Sequence, residues 1–255
     1  MVYTKRVDGR APDELRPIEA KAGVIPRADG SAMFRIGDTV AYAAVYGPRN
    51  LYPRFLQNPR QGIIRVNYVM MPFSSKGERV RPGPSRRAKE ISLVIEKALL
   101  PVLDLGEFPN STVDIFVQLP QTDAGTRCAA ICAASIALAD AGIPMRDLVA
   151  AVAVGRIEDK ILVDLNYAEE AYEGSVADIP IAVVQRTGQF SLLQMDGDSS
   201  KEDLIKALTL GREKLAQIFA LQRKALKEKY KVVGDEMAAL GDERALPEGA
   251  VEEER

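Results

Sequence analysis

Arg86 and Arg87 stand side by side directly after Ser85, where a helical pattern begins, in "PGPSRRAKEIS" (82–92). A helix start already carries unpaired N–H groups and a partial positive charge. Two guanidinium groups placed there oppose that field unless an anion arrives. Arginine suits an anion, because its planar fork grips phosphate through two parallel hydrogen bonds. A solvated basic helix start is the other reading, and local sequence leaves both open. A second group is "DAGTR", Asp123 to Arg127, between a strand pattern and a helix pattern. Gly125 lets an anion approach the backbone. The N–H groups of Gly125 and Thr126, the Thr126 hydroxyl and Arg127 can then close around a phosphate. A capped strand-to-helix turn would read the same way. The third group is acidic. Within "DLNYAEEAYEGSVAD" (164–178), Glu169, Glu170, Glu173 and Asp178 have the oxygens to gather a hard cation such as Mg²⁺. Its alternative is a solvated loop between strands.

Together the three groups are the parts of a phosphoryl-transfer site: arginine forks, an anion cradle and a carboxylate cluster. The chain has no histidine. That excludes Ser-His-Asp and Cys-His mechanisms and histidine general bases. Inorganic phosphate as nucleophile removes the difficulty, since it is already largely ionised near neutrality. The two cysteines, Cys128 and Cys132, lie four apart in an alanine-rich run. They read as small buried thiols, and two ligands make no zinc site.

The elements that must position these residues follow from periodicity. "PIEAKAGVIPR", "SAMFRI" and "TVAYAAVYGP" are short strand patterns split by Asp-Gly and Gly-Asp pairs, as in hairpins. "IIRVNYVMM" (63–71) is a further strand. From Ser85, an N-cap candidate, Ile91, Val94, Ile95, Ala98, Leu99 and Val102 recur at helical spacing. The strand "TVDIFVQLP" (112–120) leads to a second helix that Gly142 ends. Then come four strand patterns, "LVAAVAVGRI", "KILVDLN", "PIAVVQR" and "FSLLQM", and a closing helix over about 200–229 capped by Ser200. Strands then helices, twice over, predict an α+β fold in which helices cover one face of each sheet.

Hydrophobic residues make up 47% of the 255, enough for a sizeable core. No apolar run approaches about 18 residues, which predicts no membrane span. "MVYTKRVDGR" offers no secretory h-region, so a cytoplasmic location is expected. Net charge is −2, unevenly spread. Residues 235–255 hold eight acidic and two basic side chains, leaving residues 1–234 with 32 basic and 28 acidic, a net +4. The acidic tail has little to bury and is expected to be disordered.

In order and spacing, "VDGRAPDELRPI", "ADGSA", "AVYGPR", "PGPSRRAKEIS", "QTDAGTRCAA", "ADAGIPMRDLVAAVAVG" and "LLQMDGD" resemble the RNase PH family. The resemblance spans about residues 5–230 and is strongest to the catalytic ring subunits of archaeal exosomes. It implies the RNase PH fold, two β/α subdomains each like domain 2 of ribosomal protein S5. The expected division is an N-terminal extension (1–14), domain 1 (15–147), domain 2 (148–231) and the acidic tail (232–255). It also implies phosphate-dependent 3′→5′ degradation of single-stranded RNA to nucleoside diphosphates, with a reverse reaction that adds tails. The implied partners are a non-catalytic RNase PH-like subunit, in a hexameric ring of three heterodimers, and S1/KH-type RNA-binding cap proteins.

By position, the resemblance assigns Arg86 and Arg87 to the phosphates of the RNA 3′ end. It assigns Gly125, Thr126 and Arg127 to inorganic phosphate, and Arg54 to a loop at the narrow ring entrance. Asp178 matches a catalytic acid, with Glu170 and Asp178 the Mg²⁺ ligands. One departure stands out. The family usually has aspartate where this chain has Glu170, and Asp178 follows after two extra residues. Two rival readings remain: an RNA-binding ring subunit without catalysis, which Glu170 favours, and a free-standing RNase PH that trims transfer RNA.

Overall fold

A computed structural model describes residues 5–83 and 85–242, with side chains as far as 231. Five strands form the first sheet: β1 (Ile18–Ala22), β2 (Gly30–Ile36), β3 (Thr39–Asn50), β4 (Ile63–Met70) and, after helix α1 (Arg86–Leu99), β5 (Ser111–Gln121). Their order is β1-β2-β3-β5-β4. The β1–β2–β3 meander and its pairing with β5 are antiparallel, whereas β4 runs parallel to β5. A parallel neighbour needs a crossover, and α1 supplies it. Helix α2 (Thr126–Asp140) leads to the second sheet, made of β6 (Val149–Ile157), β7 (Lys160–Val163), β8 (Val176–Val184) and β9 (Phe190–Leu193), in the order β7-β6-β8-β9. A single turn, α3 (Tyr167–Glu170), sits between β7 and β8, and α4 (Lys201–Asp242) closes the chain. The α+β expectation holds.

Two details differ from the expected layering. Helix α2 is not a one-sided cover: it packs on β2 and β3 and also on β6 and β8. Its composition explains this. Alanine, cysteine and isoleucine line it all round, and every residue from Cys128 to Leu138 is buried. A helix apolar on all sides belongs between layers. Helix α4 likewise joins the halves, touching β1 as well as β6, β7 and β8. Buried Gln222 donates from Nε2 to the Val149 carbonyl at 3.0 Å, and Lys229 pairs with buried Asp140 at 2.5 Å.

The closing helix also runs beyond 229 to Asp242, into the stretch expected to be disordered. "KVVGDEMAALGD" has no proline to stop it and is rich in helix formers. Residues 243–255 lie outside the described residues. No helix among the described residues is long and apolar enough to cross a membrane.

The stretch expected to be an extension is anchored to the second sheet through Arg6, although Val7 to Gly9 and residues 11–14 are exposed. Arg6 is 4% exposed. Its guanidinium donates to both carboxylate oxygens of Glu169 at 2.8 Å, and to the carbonyls of Val163 at 2.9 Å and Asp164 at 2.8 Å.

Candidate active site

The β5–α2 turn is built to present backbone N–H groups. Ala124 (φ 57°) and Gly125 (φ 61°) both take left-handed backbone, which turns the chain sharply into α2. Gly125 is the N-cap and brings no side-chain oxygen of its own. The free N–H groups of the first helical turn therefore have no local acceptor. Thr39 anchors the turn from the sheet: its hydroxyl donates to the Ala124 carbonyl at 2.7 Å and accepts from the Asp123 N–H at 2.8 Å.

Arg127, one residue into α2, is held by the Gln194 amide oxygen at 2.6 Å and lies 3.9 Å from Glu90. Ser85 caps α1 by accepting from the Ala88 N–H at 3.0 Å. No acidic residue occupies the first turn of α1, so its positive end is uncompensated. Arg86 and Arg87 are both exposed there.

One cleft of about 300 Å³ collects most of these groups. Arg87, Gly125, Thr126, Arg127, Glu170, Asp178, Asp196 and Gly197 line it. So the helix-start arginine, the turn and two of the acidic residues face a common space. Arg86 and Arg54 do not line it. Arg54 sits in a short 3₁₀ turn (Arg54–Leu56), exposed, between Tyr52 at 63% and Phe55 at 83% exposure.

The acidic stretch needs correction. Glu169 does not face the cleft: it is fully buried against Arg6 and closes a capping box with Asn166. Glu173 is exposed and lies outside the lining. Asp178 is not in a loop either. It lies inside β8, opposite Gly155 of β6. The strand starts four residues before Pro180, where the proline had marked its expected beginning. Proline lacks the N–H of a ladder bond, so its presence inside a strand is unusual. The Gln194 N–H donates to its carbonyl at 3.2 Å.

Asp196 and Gln194, both in "LLQMDGD", carry no local signal of a role in the site. Asp196 forms an isolated bridge with Asp178 through two backbone hydrogen bonds of 2.8 Å. Gly197 (φ 94°) must be glycine, because a Cβ there would stand 2.2 Å from the Val176 carbonyl oxygen. Only long-range pairing brings Asp196 and Gly197 to the cleft and Gln194 to Arg127.

Charge is costly in this space. Burial and the nearby Asp178 carboxylate push the Glu170 pKa up to about 7, against a hydrogen bond from the Gly125 N–H and the pull of Arg87 and Arg16. Burial raises Asp178 to about 6, with Asp196 adding and Arg127 and Arg87 opposing. One Asp178 oxygen, Oδ1, is buried with no hydrogen-bond partner. Among the described residues, no three His, Cys, Asp or Glu side chains form a metal cluster. Two carboxylates, one of them with an unpartnered oxygen, fit a Mg²⁺ that takes its remaining ligands from substrate phosphates and water. The cysteines are free and buried, and burial pushes Cys132 up to about 12.

Residues 14–144 match the profile of the 3′ exoribonuclease family, domain 1 (RNase PH), and residues 147–214 match its domain 2. The chain belongs to the RNase PH family. Its curated RNase PH relatives include the exosome complex component Rrp41 of Methanopyrus kandleri, 50% identical over 225 residues, 88% of this chain and 93% of that one. The Thermococcus onnurineus Rrp41 is 50% identical over 233 residues, 91% of this chain and 92% of that one. Among solved RNase PH structures, rice Rrp46 superposes with a TM-score of 0.78 at 28% identity, covering 87% of this chain and 100% of that one. The Archaeoglobus fulgidus exosome with RNA bound to the active site gives 0.70 at 25% identity, covering 89% and 92%.

Proposed function

We propose that this chain is the catalytic subunit of an archaeal exosome ring, a phosphate-dependent 3′→5′ exoribonuclease. The single observation that carries this reading is the shared cleft: Arg87, the Gly125–Arg127 turn, Glu170 and Asp178 line one space. A ring subunit that only bound RNA would have no use for a second anion cradle beside a carboxylate pair. Identity of 50% to archaeal Rrp41 components over 88–91% of the chain supports the assignment to an exosome.

In this reading Arg87 holds the last phosphodiester of single-stranded RNA, with Arg86 and Arg54 guiding the strand through its backbone. The Thr126 N–H and Arg127 hold inorganic phosphate, and the Gly125 N–H joins them once Glu170, which accepts its hydrogen bond, turns away. Arg127 is kept in place by Gln194. A phosphate oxygen attacks the terminal phosphorus, and the bond from phosphorus to the 3′ oxygen breaks. Asp178 takes up the proton of the attacking monohydrogen phosphate and passes it to that oxygen, so the step needs no resting protonation of the carboxyl. The products are a nucleoside diphosphate and RNA one residue shorter with a free 3′ hydroxyl. Glu170 and Asp178 would hold Mg²⁺, which supplies charge neutralisation for the crowded phosphate oxygens. The other ring position falls to a non-catalytic RNase PH-like subunit, in three heterodimers, with S1/KH-type proteins as cap.

The test is a ring reconstituted with that subunit and given RNA, Mg²⁺ and phosphate. Nucleoside diphosphates are expected, and none without phosphate. Asp178→Ala is expected to abolish their release. Unchanged release from that variant removes Asp178 from the mechanism.

A further inference from the structure

Arg16 is 5% exposed and does not line the cleft, yet it touches both structures that build it. Its Nε donates to Asp164 Oδ2 at 2.8 Å and its Nη2 to Asp164 Oδ1 at 2.6 Å. Its backbone N–H also reaches Asp164 Oδ2, at 2.9 Å. The remaining terminal nitrogen, Nη1, donates to the Asp123 carbonyl and stands 3.6 Å from the Asp123 carboxylate. One planar group therefore joins residue 123 to residue 164.

Both ends of that link are strained. Asp164 has φ 57°, and on the other side so does Ala124, followed by Gly125 at 61°. Non-glycine residues held there cost on the order of 1 kcal/mol each and persist only where the surroundings over-determine them. Asp164 opens the stretch that ends in Glu170, and Ala124 and Gly125 are the phosphate turn. Asp123 extends the link, accepting from the Tyr167 N–H at 3.1 Å at the first residue of α3. Arg16 itself has little freedom: a Cβ on Gly37 would stand 2.5 Å from its Cδ, and one on Gly125 3.3 Å from Nη2.

We infer that Arg16 is a positioning residue that fixes the phosphate turn at Gly125 relative to the loop carrying Glu170. This rests on the phosphorolytic reading above. Lysine cannot replace it. An ammonium offers Asp164 a charge but is a point, whereas the guanidinium spans the carboxylate on one edge and a carbonyl on the other. With lysine the Asp123 carbonyl loses its tether and the turn can drift. A displacement of about 1 Å is enough to cost orders of magnitude in a positioned reaction.

The experiment uses the reconstituted ring carrying Arg16→Lys, with Asp164→Asn as a second variant that weakens the same fork and leaves Arg16 in place. Nucleoside diphosphate release is followed against inorganic phosphate, and RNA affinity is measured without phosphate. The expected result is a KM for phosphate raised about tenfold or more while the Kd for RNA stays within about twofold of the parent. Should Arg16→Lys fail to assemble, Asp164→Asn is read alone against the same expectation. An assembled variant with the parental phosphate KM overturns the inference. So does an equal loss in phosphate KM and RNA affinity, which is the mark of general loosening. If the parent ring releases no diphosphates at all, the functional reading has failed first and this inference falls with it.

Discussion

Glu170 and Asp178 are placed where ionisation works against the fold. A carboxyl whose folded pKa lies above its unfolded value binds protons more tightly in the native state, so stability falls as pH rises through that interval. For Glu170 the interval runs from 4.5 to about 7, and for Asp178 from 3.8 to about 6. Glu170→Gln or Asp178→Asn removes the penalty. Each is expected to stabilise the protein at pH 8 by about 1–3 kcal/mol, without Mg²⁺ or phosphate, and to lose that advantage near pH 4. Thermal unfolding at the two pH values checks this, and a midpoint at pH 8 no higher than the parent's refutes it. The glutamate itself is matched to its setting. Its carboxylate meets the Gly125 N–H from the end of a capped helical turn. Restoring the aspartate usual in the family shortens that arm by one carbon. Glu170→Asp is therefore expected to lower the turnover rate by about 10- to 100-fold, not to raise it. A variant ring as fast as the parent would show that the longer arm has no role.

Helix α2 begins at the Gly125 turn and is gripped by both sheets. Ala133 and Ala134 have no exposed surface. Ala133→Leu is expected to cost about 1–3 kcal/mol through overpacking, since neither sheet can retreat without disturbing the other. Ala216→Leu, at an exposed site on α4, is expected to stay within about 0.5 kcal/mol. Denaturant unfolding of the two variants tests the contrast, and equal midpoints would argue against a two-sided grip. The short β-rich runs of β2, β3 and β5 and the 3.6-residue stripe of α1 were legible in the sequence, the runs from the turn residues that bound them and the stripe because α1 buries one face, at Ile91, Ile95, Ala98 and Leu99. What was not legible has physical causes. An all-round apolar helix has no face to read, so its place between layers stayed hidden. Pro180 looked like the start of a strand and moved Asp178 into a loop. Asp196, Gln194 and Arg16 meet their partners only through pairings many residues distant, such as Arg127 with Gln194 and Arg16 with Asp164, and these leave no local pattern. Glu169 and Glu170 are adjacent and chemically alike, yet the chain direction sends one to Arg6 and the other to the cleft.

At the scale of the molecule, positive charge divides by position relative to the cleft. Exposed Arg87 and half-buried Arg127 line it, while Arg86 and Arg54, also exposed, lie outside its lining. The body of the chain is a net +4, and residues 235–255 are a net −6. A polynucleotide held through its phosphates should feel the outer arginines as counterion-releasing contacts and the inner ones as part of the reaction site. Each phosphate neutralised on a single strand contributes about −0.7 to the slope of log affinity against log salt. Arg54→Ala and Arg86→Ala are each expected to flatten that slope by about 0.7 in the reconstituted ring, equally for RNAs of different sequence, because backbone contacts carry no base readout. Arg87→Ala is expected to flatten the slope similarly and, in addition, to lower the turnover rate at saturating RNA. Filter binding over a range of salt concentrations, paired with diphosphate release, separates the two classes. If the Arg54→Ala and Arg86→Ala slopes match the parent's, the strand does not pass these residues, and the charge outside the cleft serves something other than RNA.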